Sequence, residues 1–439
     1  MRDLLVVGIV LICAVWALRQ PWIGVMLWTW LSVMNPHRYT WGFAYDAPLA
    51  AIAAAATLLG LLFTKERQSP FQGAPVAWFF LLTIWITLSW LMGYDPTADY
   101  AQWDKVIKIY LMTFVALALL FTKHHIMAFA WVTAGSLALL GAKGGLFTVL
   151  HGGNYRVWGP AGSFVQDNNH FALALIMTIP LLHFLQSQMA RQLHRHFMTI
   201  VMLLCAAAAL GSHSRGAFLA IIAMGAVLWW RSERKLQISV GILVVAMLLM
   251  PMMPDHWWER MSSIRNYEED TSAMGRIHGW QVAWEVAKHH IFGGGMTYQH
   301  QTLFSLYGKS DTYVIAAHSI YFQILGNHGF VGLFIYLALW IATYRMAGWL
   351  RKNATKNPAT KWTADLGAMV QVSLIGYAVG GAFLSMPYYD LPYNMMVMVV
   401  LAKKWVESRR WERDPQMSIL EYLGLRRRRP TAPAVPARG

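Results

Sequence analysis

One histidine and a small set of arginines carry the chemistry this chain could do. His318, followed by Ser319, ends a polar stretch, Pro254–Ala317, that separates two strongly apolar segments. An imidazole titrates near ambient pH, so at such a boundary it is a candidate general base; a histidine that merely starts a helix is the alternative. Arg215 lies in the polar break Gly211–Gly216, which reads Gly-Ser-His-Ser-Arg-Gly. Its planar fork of donors suits phosphate oxygens, whereas a snorkelling or capping role would need no ligand. Arg265 and Arg276 fall in the long polar stretch, either as salt-bridge partners of Glu268, Glu269 or Asp270 or as further phosphate donors. Two or more such arginines converging with Arg215 would suit a diphosphate. Asp270, Thr271 and Ser272 read as helix caps ahead of Arg276, Trp280 and Trp284 at helical spacing.

A second polar stretch, Lys143–His170, adds Lys143, Arg156, Asn168 and His170 as candidate substrate contacts. Glycines there supply backbone freedom, and Asn, Asp and His supply the hydrogen bonds that sugars or phosphates need. For Asn168 and Asn169 a helix cap is the competing role. The chain has no Walker motif, no GxGxxG after a strand, no HExxH, no CxxC and no spaced Asp-x-Asp. That argues against nucleotide use and a required metal, so no cofactor is expected. The two cysteines, Cys13 and Cys205, sit inside apolar runs and suggest neither a disulfide framework nor a metal site.

The elements that must position these residues are membrane helices. The 439-residue chain is 57% hydrophobic and 13% charged, against about a quarter charged in soluble domains. Apolar runs recur from Leu4–Leu18 to Leu391–Ala402, which predicts an all-α, polytopic membrane protein of about twelve transmembrane helices. Residues 1–35, two short runs broken at Arg19–Pro21, read as a hairpin or as one kinked pass. An even count with both ends inside requires the single pass. The net charge of 36 − 21 = +15 is scattered between apolar spans, which favours anionic lipid over nucleic acid as its partner. Lys65/Arg67, Lys123, Arg191/Arg195, Arg231/Arg234/Lys235, Arg345/Arg351/Lys352/Lys356 and Lys403/Lys404 mark one side, cytoplasmic by the positive-inside rule. Asp95–Lys105, Lys143–His170, Gly211–Gly216, Pro254–Ala317 and Ser385–Asn394 then face outward. The expected organisation is a bundle over 1–253, a large periplasmic loop with short helices over 254–317, further spans over 318–405, and a basic cytoplasmic tail over 406–439.

Two short elements resemble a known family. Arg215-Gly-Ala-Phe-Leu219 matches an Arg-x-x-x-Leu element. His318-Ser319, nine residues and then Gly329-x-x-Gly332 match a His-[Asn/Ser/Gln]-x9-Gly-x-x-[Gly/Thr/Tyr] element. Both resemble the bacterial O-antigen ligases (WaaL), in a superfamily shared with O-antigen polymerases and protein O-oligosaccharyltransferases. The N-terminal part is similar to the O-glycosylation ligase variant associated with exosortase systems. The resemblance implies a metal- and nucleotide-independent glycosyltransferase of the inner membrane. It would move polysaccharide from undecaprenyl diphosphate to lipid A–core on the periplasmic face. Independently of the family, direct displacement by the acceptor hydroxyl predicts inversion at the anomeric carbon. His318 would be the base, with Arg215 and one of Arg265 or Arg276 on the diphosphate. A polymerase or a protein O-oligosaccharyltransferase would share this donor site. A polysaccharide or lipid transporter, the rival from another class, would instead place ionisable residues at mid-membrane in two related halves.

Overall fold

A computed structural model describes residues 1–231, 235–262, 271–308 and 314–414. Among them there are helices and connecting segments but no strand. In chain order the helices are α1 (Arg2–Arg19), α2 (Pro21–Met34), α3 (Leu49–Phe63), α4 (Gly73–Leu91), α5 (Pro96–Leu119), α6 (Lys123–Leu150), α7 (Asn168–Ser187) and α8 (Gln192–Gly211). They continue as α9 (Arg215–Arg231), α10 (Lys235–Leu249), α11 (Asp255–Ser262), α12 (Thr271–His289), α13 (Gln301–Tyr307), α14 (Ile320–Asn353), α15 (Lys361–Gly381) and α16 (Asp390–Glu407). Gly73–Leu91, Lys123–Leu150, Asn168–Ser187, Gln192–Gly211 and Ile320–Asn353 are long and apolar enough to cross a membrane. The chain is thus a polytopic helical membrane protein. Its helix starts follow local chemistry. Asp95 accepts from the Ala98 N–H, Thr122 from that of His125, and Asp167 from those of Asn169 and His170.

Residues 1–35 form the hairpin, not a single kinked pass. Asp3, at the start of α1, accepts from the backbone N–H groups of Gly42 and Ala44, beyond the end of α2. Near the turn, a Cβ on Gly24 would come within 2.9 Å of the Ala17 Cβ. A proline at the first position of α2 starts the return helix where its missing N–H costs nothing.

The last helix runs through the middle of the bundle. From Asp390 to Ala402 every residue of α16 is buried, and it packs against α14, α15, α6 and α5. α6 and α8 approach closely because Gly145 has no side chain; a Cβ there would run into the Leu204 carbonyl. Lys143–Leu150 therefore belongs to a helix, not to the loop expected there. Pro96–Lys105 is likewise the first part of α5.

α14 is broken at Gly329, whose φ of 68° and ψ of −174° lie outside helical geometry. The freed carbonyls of Gly326 and Asn327 accept from the N–H groups of Gly294 and Gly295, at 2.8 and 3.0 Å. Apolar surroundings would otherwise leave those groups without partners. Asp99 fastens the same segment by accepting from the Met296 and Thr297 N–H groups. His328 is held between the Ser89 Oγ (2.9 Å) and the Tyr388 hydroxyl (2.6 Å).

Candidate functional site

The site forms at the end of the bundle where α7, α9 and α14 begin. His318 occupies the left-handed region, φ 44°, two residues before α14. Few side chains other than glycine, asparagine, aspartate and histidine adopt that conformation, at a cost of about 1–3 kcal/mol. α12 holds the approach to it. The Trp280 indole N–H donates to the Ala317 carbonyl at 2.7 Å, and its ring stacks on Phe322 at 4.9 Å. Gly279 lies against the backbone of Ile315–Ala317, close enough that a Cβ would be 3.4 Å from the Ile315 carbonyl.

The half-buried His318 imidazole has Arg276, His170 and Asp167 as its charged or titratable neighbours. Burial holds its pKa below the ordinary 6.5, Arg276 and His170 push the same way, and Asp167 opposes them. The ring is neutral at neutral pH, the state that can accept a proton. Three segments distant in the chain meet here: the start of α7, the middle of α12 and the lead into α14.

Arg215 enters from a fourth segment. The break Gly211–Ser214 is fixed from several sides. Asn168 Nδ2 donates to the Ser212 carbonyl (2.6 Å), His213 Nε2 meets the Gly153 carbonyl (2.9 Å), and Trp257 Nε1 donates to Leu210 (3.0 Å). Ser214 Oγ then caps α9 by accepting from the Ala217 N–H, so the half-buried Arg215 sits in the first turn. Beside it, a Cβ on Gly216 would be 3.2 Å from the Phe383 Cβ; on Gly381, one would be 2.6 Å from the Ile320 Cδ1. Arg215 and His318 thus flank the same end of α15.

The other sequence candidates separate. Arg265 lies outside the described residues, as do Glu268, Glu269, Asp270 and the tail arginines Arg426–Arg429. Lys143 stands within α6 with its Nζ 4.8 Å over the Tyr39 ring, and Arg156 is exposed. Asn168 is buried and engaged with Ser212. His170 belongs to the cluster. It bonds the Phe164 backbone, and its Nε2 is buried with no hydrogen-bond partner.

A cleft of about 440 Å³ adjoins His170, lined by Lys105, Trp158, Ser163, Phe164, Gln166, Asp167 and Ser385. The exposed Trp158 face, the Gln166 amide and two hydroxyls are the donors, acceptors and stacking surface that a saccharide takes. Ser385 Oγ is buried and unpartnered. Lys105 forms the wall towards a smaller recess of about 280 Å³ that includes Ser32, Asn35, His37 and Lys108. Its Nζ lies 3.8 Å over the Phe164 ring, with Arg38 and Asp390 as charged neighbours. Lys105 and Ser385 escape a sequence reading. A lysine in a short outward polar stretch is a weak signal, but its place on the side otherwise poor in lysine was one. Ser385 has no local signature.

Among the described residues no three His, Cys, Asp or Glu side chains gather as metal ligands. Residues 200–337 match a family model described as O-Antigen ligase, and residues 1–190 match one described as a family of unknown function (DUF5935). No curated protein matches the chain.

Proposed function

We propose that this chain, which carries an O-antigen ligase domain over residues 200–337, transfers a glycan from undecaprenyl diphosphate to a hydroxyl acceptor of the lipid A–core type. The site would face the periplasm of the inner membrane, because the lysine- and arginine-rich connections lie at the opposite end of the bundle. The observation that carries the proposal is the meeting of His318 with Arg276, His170 and Asp167, beside a cleft of saccharide character. Arg215, Arg276 and His318 all fall within the matched segment.

In the proposed reaction His318 takes the proton from the acceptor hydroxyl. The freed oxygen attacks the anomeric carbon of the donor sugar, and the bond from that carbon to the diphosphate oxygen breaks. The departing undecaprenyl diphosphate gathers negative charge, which Arg276 and Arg215 meet with preorganised donors; Arg265 remains a candidate for the same duty. No nucleotide enters, because the diphosphate is already a good leaving group. Direct displacement inverts the anomeric configuration.

The decisive experiment uses purified protein in detergent with lipid-linked donor and acceptor. Transfer with inversion supports the proposal. A covalent glycosyl-enzyme or retained configuration would refute its mechanism. A polymerase acting on the same donor is the neighbouring reading, because O-antigen ligases and polymerases share this superfamily. Glycan analysis of a deletion strain separates the two: full-length unligated polymer marks a ligase, single repeats a polymerase.

A further inference from the structure

We propose that residues 1–190, the part of the chain matched by a family of unknown function, build the acceptor side of the site as two adjoining saccharide subsites that meet at Lys105. The inference rests on the transfer reaction proposed above. It assigns the acceptor glycan, not the donor, to this half of the molecule.

Position separates acceptor from donor. Direct displacement puts the attacking hydroxyl and the departing diphosphate on opposite faces of the anomeric carbon, so the base stands on the acceptor's face. His170 and Asp167 are neighbours of His318 and also line the cleft of about 440 Å³, whereas Arg215 and Arg276 do not line it. A cavity that shares the base's neighbours and leaves out the arginines lies on the acceptor's side.

The walls suit sugar hydroxyls more than a free anion. In the cleft the exposed Trp158 offers a stacking face. Gln166 accepts the Gly162 N–H through Oε1, which leaves its NH2 group to donate. In the recess of about 280 Å³, Trp28 and His37 contribute rings, and His37 Nδ1 has no hydrogen-bond partner. The charges around the recess are matched: Lys108 pairs with Asp104, and Arg38 with Asp46.

Lys105 is the junction. With Ser163 and Phe164 it lines both cavities. Its Nζ lies 3.8 Å over the Phe164 ring and makes no hydrogen bond or ion pair among the described residues. Three N–H donors therefore stand where one sugar of a chain gives way to the next. Of the residues lining the cleft and the recess, Ser385 alone lies beyond the 1–190 segment.

The test measures equilibrium binding to the full-length protein in detergent. The probes are delipidated core oligosaccharide from the bacterium that makes the protein, its outermost monosaccharide, and the undecaprenyl diphosphate-linked donor. Wild type should bind the oligosaccharide more tightly than the monosaccharide. Lys105→Met should lower oligosaccharide affinity about tenfold, and Trp158→Ala should lower the affinity for both sugars roughly fivefold. His37→Phe, in the recess, should lower affinity about threefold for the oligosaccharide and leave the monosaccharide unchanged. Donor affinity should stay within about twofold in all three. A parallel fall in donor affinity with intact oligosaccharide binding would place the donor in this cleft and overturn the assignment. Full oligosaccharide affinity in monodisperse Lys105→Met and Trp158→Ala proteins, or no binding by wild type, would overturn the subsites whatever the reaction. Absence of transfer by wild type, with oligosaccharide binding lost in the variants as stated, would instead sink the reaction and leave a glycan site.

Discussion

Trp280 donates its indole N–H to the carbonyl of Ala317, the residue before His318, at 2.7 Å. This bond ties the middle of α12 to the backbone that sets the imidazole's position. Trp280→Phe retains the stacking on Phe322 and loses the donor. Stability should fall by about 1 kcal/mol, and the transfer rate should fall more than donor affinity does. Thermal unfolding alongside steady-state kinetics reads both.

His318→Ala should reduce transfer by about 10²- to 10⁴-fold while donor binding persists. Near-normal turnover in that variant would remove His318 from the role of base.

The pH profile follows from the same group. Burial, Arg276 and His170 disfavour the imidazolium and hold the pKa below 6.5. The base is therefore unprotonated at neutral pH, and transfer should stay on a plateau there. Activity should fall only as acidification passes a midpoint below 6.5. Arg276→Gln removes one of the opposing charges, so the acid limb should move up towards 6.5, and the rate–pH profiles of the two proteins would show it.

Arg215→Ala should weaken donor binding and transfer together. Arg215→Lys should be impaired as well, because a point charge does not reproduce a two-pronged donor. Loss of one charge-assisted hydrogen bond corresponds to about 1.5–3 kcal/mol, or roughly 10- to 100-fold in donor affinity. A titration with donor lipid measures it, and wild-type affinity in the lysine variant would show that the fork is not used.

Gly329→Ala should be strongly destabilising. The left-handed backbone strains any side chain, and a Cβ there would strike the Ile291 carbonyl. The strain alone is about 1–3 kcal/mol. A lowered melting temperature with faster proteolysis near Gly293–Thr297 would report it.

Much of the helical plan was readable from apolar runs, since burying or lipid-facing a helix demands them. Where the structure departs from the sequence pattern, glycine and charge mimic loop signals. Gly144 and Gly145 instead let α6 and α8 touch, and Lys143 covers an aromatic ring within a helix. Asp99 and Lys105 are polar but helical because partners far along the chain, the 296–297 backbone for one and Phe164 for the other, receive them. The hairpin of α1 and α2 depends on Asp3 reaching Gly42, a contact no local pattern encodes. His318, Arg215 and Arg276 were picked out by residue type and order. His170 was a candidate by residue type too, but its place beside His318, and the cleft walled by Lys105 and Ser385, arise only when α5, the segment leading into α7 and the segment after α15 come to line one cavity.

The seam at the α14 break limits how this protein can move. Peeling residues 293–297 away from it would strand two peptide carbonyls and the Asp99 carboxylate in greasy surroundings at once. In the proposed transfer, a long polymer would therefore be admitted without opening this stitched joint, which fastens α14 to α4 and α5 as one piece.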